Sequence, residues 1–562
     1  MALLLLMVHS QAAIYPFQLK TKLNNSYQVI INWELDFGRQ IANFKIEVDA
    51  QTTSGAVWLA VGFSEHGKYT GSDLYVFKDA RLTDSYTAEN GLITPDLQQD
   101  CRNTDSVELP DGRLLIQFDR LFDTCDAADY VLEEGTTQFV VALGFSHRLN
   151  INSVHVVKGI FANRLFRSLE PPIPLPDDVK AMTVGTFNVH IPAKETTYWC
   201  ELVRMPVLSA KHHIVKYEAA VQSGNEQFVH HMEVFGCEKP TGHGGHVPHF
   251  SGPCSSDHAP ALLKSCKHVI GAWAMGAEAF SYPEEAGIAI GGPGYFPFAL
   301  VEIHYTNPEL KSGVVDSSAI RFYYTSQLRP HDSGILEVGL IYSDTIAIPP
   351  AMVQFPVTGY CTTECTDLSL PDNGITIFGS QLHSHLTGRR LKTVLVRENV
   401  KVAEVNRDDH YSPQWQEIRK LESPLLVLPG GYGIKDEMCV NYLHYYPKAE
   451  LEVCKSAVDN AALKQYFRIL RRYERQPTSD RATPTENYRS IHWDERLSQQ
   501  LARLYHKAPI TVDCLKTFGN PFPGKWNQQP VTQVKASLVE KRVKCIDWGR
   551  PDAYDDIPVK RY

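Results

Sequence analysis

Between about Tyr27 and Val157 the sequence is cut into short runs of alternating apolar and polar residues, separated by Gly, Asp and Ser turns. Alternation with period two sends successive side chains to opposite faces of a strand, so each run has one face to bury. Many short strands between turns predict a β-sandwich. The stiff connector Pro171-Pro172-Ile173-Pro174-Leu175-Pro176 then marks a boundary. Beyond it, two further strand-rich segments run to about Arg329 and about Ser456. Helical spacing is confined to the end, at Leu463, Tyr466, Ile469 and Leu470 between Asp459 and Arg475, and at Leu497, Leu501 and Leu504 between Trp493 and His506. The expected fold is mainly β with a partly helical C-terminal region. A chain of 562 residues is too long for one core and divides into several domains.

Apolar residues at 43% and charged residues at 21% describe an ordinary globular chain. A net charge of −9 argues against a nucleic-acid surface and weakly favours cationic ligands. Residues 1–13, opening Met1-Ala2-Leu3-Leu4-Leu5-Leu6, read as a secretory signal segment that ends in small residues. No stretch approaches the ~20 apolar residues that a membrane span needs. Asn24-Asn25-Ser26 is a glycosylation sequon. The twelve cysteines are scattered, and Cys361-Thr362-Thr363-Glu364-Cys365 has no matching pair of the kind a structural zinc site needs. Disulfides in the secretory pathway, in a vesicle lumen or outside the cell, are the expected use.

The chemistry concentrates in histidines. In Gln381-Leu382-His383-Ser384-His385, two imidazoles two apart on a strand can converge on one point; a pair of surface histidines is the alternative. His230 and His231 are adjacent in Phe228-Val229-His230-His231-Met232-Glu233, and His304 lies in Leu300-Val301-Glu302-Ile303-His304. Neighbours on a regular strand point apart, so His230 and His231 can share a metal only if the strand bulges. Met438, in Asp436-Glu437-Met438-Cys439, is core filling by default and a soft ligand otherwise. Three imidazoles suit a copper that cycles between oxidation states, whereas two imidazoles plus a thioether favour Cu(I). The glycine-rich stretch with His243, His246 and His249 reads as a surface loop. A zinc peptidase is disfavoured because no His-Glu-x-x-His occurs.

Several motifs in one order carry a specific resemblance: Glu195-Thr196-Thr197-Tyr198-Trp199-Cys200, His212-His213-Ile214-Val215-Lys216-Tyr217-Glu218, Val229 to Phe235, Tyr282-Pro283-Glu284-Glu285-Ala286-Gly287, Gln381 to Arg390, and Met438 to Pro447. Together they resemble the copper type II, ascorbate-dependent monooxygenases, and within them the enzymes that hydroxylate phenylethylamines. The resemblance implies two coppers per chain, one held by His230, His231 and His304 and the other by His383, His385 and Met438. It makes Tyr198 and His383 catalytic candidates, although Tyr198 reads equally as a half-buried aromatic beside a disulfide. Ascorbate is the implied electron donor, dioxygen the co-substrate and a small phenylethylamine the substrate, hydroxylated at its benzylic carbon. Amine recognition calls for a carboxylate or aromatic cage near Met438; Tyr442 is one candidate lining residue, and the sequence alone locates no cage.

The implied organisation is a DOMON-like β-sandwich over 27–157, similar in Val57-Trp58-Leu59-Ala60-Val61-Gly62-Phe63-Ser64, two copper-binding β-sandwich domains over 180–329 and 330–456, and a region over 457–562. The DOMON-like segment shows no His/Met haem pair, so a structural or gating role is expected. The implied disulfides are Cys200–Cys254, Cys237–Cys266, Cys361–Cys454, Cys365–Cys514 and Cys125–Cys545, with Cys101 and Cys439 unassigned. A homo-oligomer is compatible with the resemblance. One departure stands out: Pro429-Gly430-Gly431-Tyr432 closes directly a gap where the family carries an extra cysteine-containing segment before the methionine ligand. The alternatives are therefore a related copper monooxygenase with another substrate, or a secreted copper- or ligand-binding protein without turnover.

Overall fold

The computed structural model describes residues 17–23, 26–49, 52, 55–166, 173–237, 249–292, 296–350, 352, 354–384, 387–413, 415–427, 440–532 and 534. The chain falls into two compact units that divide between residues 169 and 170.

The first unit is a sandwich of two antiparallel sheets. One has the strand order Phe17–Leu23, Tyr27–Asp36, Ile41–Val48, Leu114–Leu121 and Arg102–Glu108; the other runs Val156–Arg164, Thr136–Gly144, Trp58–Ser64, Asp73–Lys78, Arg81–Thr87 and Ile93–Pro95. Alternate residues of both sheets meet in one core, with Val29, Ile31, Trp33, Phe44 and Phe118 from the first against Leu59, Val61, Phe63, Phe139 and Val141 from the second. Among the described residues its strands start at Phe17 and end at Arg164, either side of the 27–157 read from the sequence. Its core holds a buried ion pair: the Arg120 guanidinium donates to Asp73 Oδ2 at 2.9 Å, and also to the Tyr75 hydroxyl at 2.7 Å and the Tyr130 carbonyl at 2.7 Å. Burial beside Asp73 pushes the Asp84 carboxyl up to about 8 and Asp129 up to about 7.

The second unit contains two successive sandwich-like halves. In the first half, one sheet follows the order Lys180–Gly185, Ala319–Thr325, His212–Ala220, Ala286–Ile290 and His331–Asp332. The other follows Ser251–Pro253, Thr196–Arg204, Phe298–Thr306, Val229–Cys237 and Cys266–Ala274. Tyr217, Val229, Val234, Ile303, Tyr305 and Phe322 are among the side chains packed between them. In the second half a six-stranded sheet runs Arg419–Val427, Ile375–His383, Val440–Tyr446, Gly334–Leu340, Leu451–Val458 and Ile510–Lys516. The last strand pairs along the whole of Leu451–Val458, so this sheet draws on residues well beyond 456. Disulfides join Cys200 to Cys254, Cys237 to Cys266, Cys361 to Cys454 and Cys365 to Cys514. Cys125 is disulfide-bonded, while Cys545, its expected partner, lies outside the described residues, as do Asn24 and Cys439. Cys101 carries a free thiol.

Helices span Asn460–Tyr473, Pro484–Ser490 and Glu495–Lys507. Each starts at a side-chain cap: Asp459 accepts from Ala461 and Ala462, Thr483 forms a reciprocal box with Glu486, and Asp494 accepts from Leu497. Leu463, Tyr466, Phe467, Leu470, Leu497 and Leu501 form their shared core. Ile469, expected on the apolar face, is 44% exposed, and Phe467 occupies the buried position instead. The stripe runs 463, 466, 467, 470, the i, i+3, i+4, i+7 pattern, which leaves 469 outside it. Among the described residues no helix is long and apolar enough to cross a membrane.

Candidate metal centre

His230 and His231 sit at the start of the Val229–Cys237 strand, which pairs with Phe298–Thr306. The register jumps there: Val229 faces Tyr305, and His231 then faces His304, so one extra residue is inserted. That β-bulge removes the strict alternation of a strand and lets both imidazoles turn to the same side as His304. Their Nδ1 atoms lie 3.1 Å apart, and one ring nitrogen from each of the three histidines falls within 4.8 Å of the others. Ring centroids are 4.8 to 5.3 Å apart. Three neutral imidazole donors converging in this way fit a copper ion. The Met275 amide donates to the His230 carbonyl at 2.8 Å and holds the bulge open.

Tyr198 faces His304 across the neighbouring strand pair and stacks on its ring, 4.5 Å between centroids and 8° between planes. Partial burial, with Glu302 and Glu233 nearby, raises its phenol pKa, so it stays protonated at ordinary pH. At 43% exposure it forms the solvent-facing wall of the cluster.

His383 ends the Ile375–His383 strand, whose buried Ser380 bonds Asn441 and Asn406. Its Nδ1 lies 3.0 Å from Gln416 Oε1. Gln416 Nε2 donates to the Pro413 carbonyl at 3.0 Å, so the amide oxygen is the end turned to the histidine. Nδ1 must then carry the proton, which leaves Nε2 of His383 with its lone pair for a metal. The Tyr411 hydroxyl takes the Ser384 amide and donates to the Ser384 carbonyl, fixing the backbone that leads to His385. His385 and Met438 lie outside the described residues, so of this second ligand set the structure places His383 alone. His243 and His246 are outside them too, and His249 joins no metal-ligating cluster among the described residues.

The three-histidine cluster and His383 are linked through the backbone. The Gln416 amide donates to the Met275 carbonyl at 3.4 Å, so His230, Met275, Gln416 and His383 form one hydrogen-bonded series from the first half to the second. Gly276 lies beneath Trp415, where a Cβ would come within 2.2 Å of the indole.

Carboxylates absent from the sequence reading also emerge. Glu233 shares a strand face with His231 and pairs across to Glu302. Burial, reinforced by Glu302 and Glu337, pushes it up to about 8. Glu337 accepts from Lys455 at 2.9 Å and from the Tyr342 hydroxyl at 3.1 Å. The partly buried Tyr442 lies 6.4 Å from the His383 ring, centroid to centroid, and desolvation holds its phenol pKa well above normal. Glu337 and Tyr442 close one end of a cleft of about 310 Å³ between the two halves. The two-residue spacing from His231 to Glu233 was the available signal for the first of these carboxylates. Glu337 carries no comparable signal.

Family models match three stretches: a DOMON domain at residues 25–155, the copper type II ascorbate-dependent monooxygenase N-terminal domain at 182–312, and the C-terminal domain of the same family at 331–431 and 426–467. The chain belongs to the copper type II ascorbate-dependent monooxygenases: it is a copper enzyme that draws electrons from ascorbate. Within that family it is 41% identical over 544 residues to dopamine beta-hydroxylase of Homo sapiens, a match covering 92% of this chain and 87% of the relative. It is 37% identical to tyramine beta-hydroxylase of Caenorhabditis briggsae, covering 93% and 92%, and 29% identical to the human DBH-like monooxygenase protein 1, covering 92% and 89%. The C-terminal match comes in two pieces that overlap at 426–431.

Proposed function

We propose that the protein hydroxylates the benzylic carbon of a phenylethylamine, converting tyramine to octopamine or dopamine to noradrenaline. One oxygen atom of dioxygen enters the C–H bond and the other leaves as water, with two electrons drawn from two ascorbates and two protons from solvent. Copper held by His230, His231 and His304, and by His383, His385 and Met438, supplies the electron storage and oxygen activation. The chain's own residues bind and orient the amine. The observation that carries this reading is the trio Glu233, Glu337 and Tyr442, gathered in the second unit beside His231 and His383. An ammonium recognised there forms charge-assisted bonds to carboxylates in a water-poor setting, while the apolar walls of the cleft, Phe235 and Ile335 among them, accommodate an aromatic ring. Gln416 keeps the tautomer of His383, and Tyr198 shields His304 from solvent.

The experiment is steady-state oxygen uptake by copper-loaded protein with ascorbate and tyramine or dopamine. Glu233→Gln, which keeps the shape but removes the carboxyl that a bound ammonium would draw into its ionised form, should raise KM for the amine about 10-fold or more while copper content stays unchanged. An unaltered KM refutes the amine site. The second reading, copper binding without turnover, is favoured by the short segment before Met438; two coppers bound with no ascorbate-dependent product would establish it. The observed disulfides fit a vesicle lumen or the extracellular space, with Asn24 as a glycan acceptor.

A further inference from the structure

The cleft that ends at Glu337 and Tyr442 has another end of opposite character. There Lys267 and His268, on the Cys266–Ala274 strand of the first half, face Glu452 and Lys516 of the second half. Glu452 is already compensated: it accepts from His268 Nδ1 at 2.8 Å and from the Thr517 hydroxyl at 3.0 Å, with Lys448 Nζ 3.7 Å away. Burial works to raise its pKa, but the His268 bond and the nearby charges lower it overall, so it stays ionised and occupied. Lys516 is tied to the exposed Glu450 at 2.6 Å. Lys267 has no carboxylate partner among the described residues, and its ammonium lies over Gly519, where a Cβ would sit 3.0 Å from Nζ. Gly519 also has φ +78°, a conformation that favours glycine, so the floor under this ammonium is kept bare. With Lys516 held by Glu450 and Glu452 held by His268 and Lys448, Lys267 is the lining cation at this end that no carboxylate among the described residues offsets, and it repels an ammonium and attracts a small anion.

We propose that this outer end binds the ascorbate monoanion, with its enediolate oxygen on Lys267 and its hydroxyls within reach of His268 and Glu452. The assignment rests on the monooxygenase reading and adds to it the place where the reductant docks. Phe235 lines the cleft and lies four residues from His231 on the same face of the Val229–Cys237 strand, about 13 Å at the usual strand rise. The bound monoanion gives up one electron and one proton. The electron would pass along this strand toward His230, His231 and His304, which would hold a copper able to accept it, and the proton leaves to water at the cleft mouth. The ascorbate radical anion departs, and a second monoanion delivers the second electron.

The test is anaerobic reduction of the copper-loaded full chain, followed by loss of the cupric paramagnetic resonance signal, with ascorbate and separately with neutral hydroquinone. Lys267→Gln should raise the half-saturating ascorbate concentration roughly fivefold, Lys267→Glu should raise it further, and Lys267→Arg should restore it. Hydroquinone should reduce all four proteins at one rate. Unchanged ascorbate dependence, or an equal loss with hydroquinone, overturns the proposal. Saturable, Lys267-dependent reduction in a protein that hydroxylates no amine would support this docking site while refuting the proposed substrate.

Discussion

Replacing Gln416 by Leu should disable the second metal site without touching the first. The amide holds His383 through one bond of 3.0 Å, and its orientation is dictated by the second bond to the Pro413 carbonyl. A neutral hydrogen bond contributes about 1 kcal/mol net, but losing the acceptor also frees His383 to adopt the tautomer that points a proton at the metal. Partners of metal-bound histidines typically change affinity or activity about 10–100-fold, and the lower half of that range matches one bond plus a tautomer penalty of similar size. Gln416→Glu keeps the acceptor and should retain most activity. The assay is copper titration with oxygen uptake: the Leu variant should retain one tightly bound copper per chain, bind the second at least 10-fold more weakly and lose ascorbate-dependent product in proportion. Wild-type affinity for both coppers in Gln416→Leu would refute the tautomer argument. Equal weakening of both sites would show instead that the series from His230 to His383 is one structural unit.

Gly276→Ala should reproduce part of that loss from the other half, because the new methyl meets the Trp415 ring and the residue must hold φ +92°; the check is copper stoichiometry beside a melting curve, with the first site retained. The first sandwich should lose stability as pH rises. Asp84 is raised to about 8 in the fold against about 4 in an unfolded chain, so its contribution is complete below about pH 4 and is lost as pH rises through about 8. One extra proton held by the fold gives a slope of up to about 1.4 kcal/mol per pH unit over that window. Calorimetry of the full chain with a chelator, at pH 5 and 7.5, should show the transition of this unit falling with pH in the wild type and a flatter response in Asp84→Asn; a rise with pH would refute the sign.

Much of this molecule is legible in its residues, for identifiable reasons. Period-two alternation located the strands because a half-buried strand has no other way to satisfy both faces, and apolar spacing located the Asn460–Tyr473 and Glu495–Lys507 helices. The Ile469 misassignment arose because a short apolar run allows two neighbouring stripes, and only packing against Tyr488 and Leu497 selects Phe467. The adjacency of His230 and His231 announced the need for a bulge; the jump between Val229 and His231 supplies it.

Residue type and local spacing by themselves determined which side chains can serve as donors to copper and which can cross-link, since imidazole, thioether and thiol chemistry travels with the residue wherever it lies. Only the folded chain decided that Gln416 meets His383, that Glu337 and Tyr442 close one cleft with Phe235, and that Lys267 faces its opposite end. Those neighbours are separated by tens to hundreds of residues: Gln416 with His383 and Glu337 with Tyr442 meet inside the second half, Phe235 and Lys267 reach the cleft from the first, and no local pattern encodes a contact made only by long-range pairing and packing.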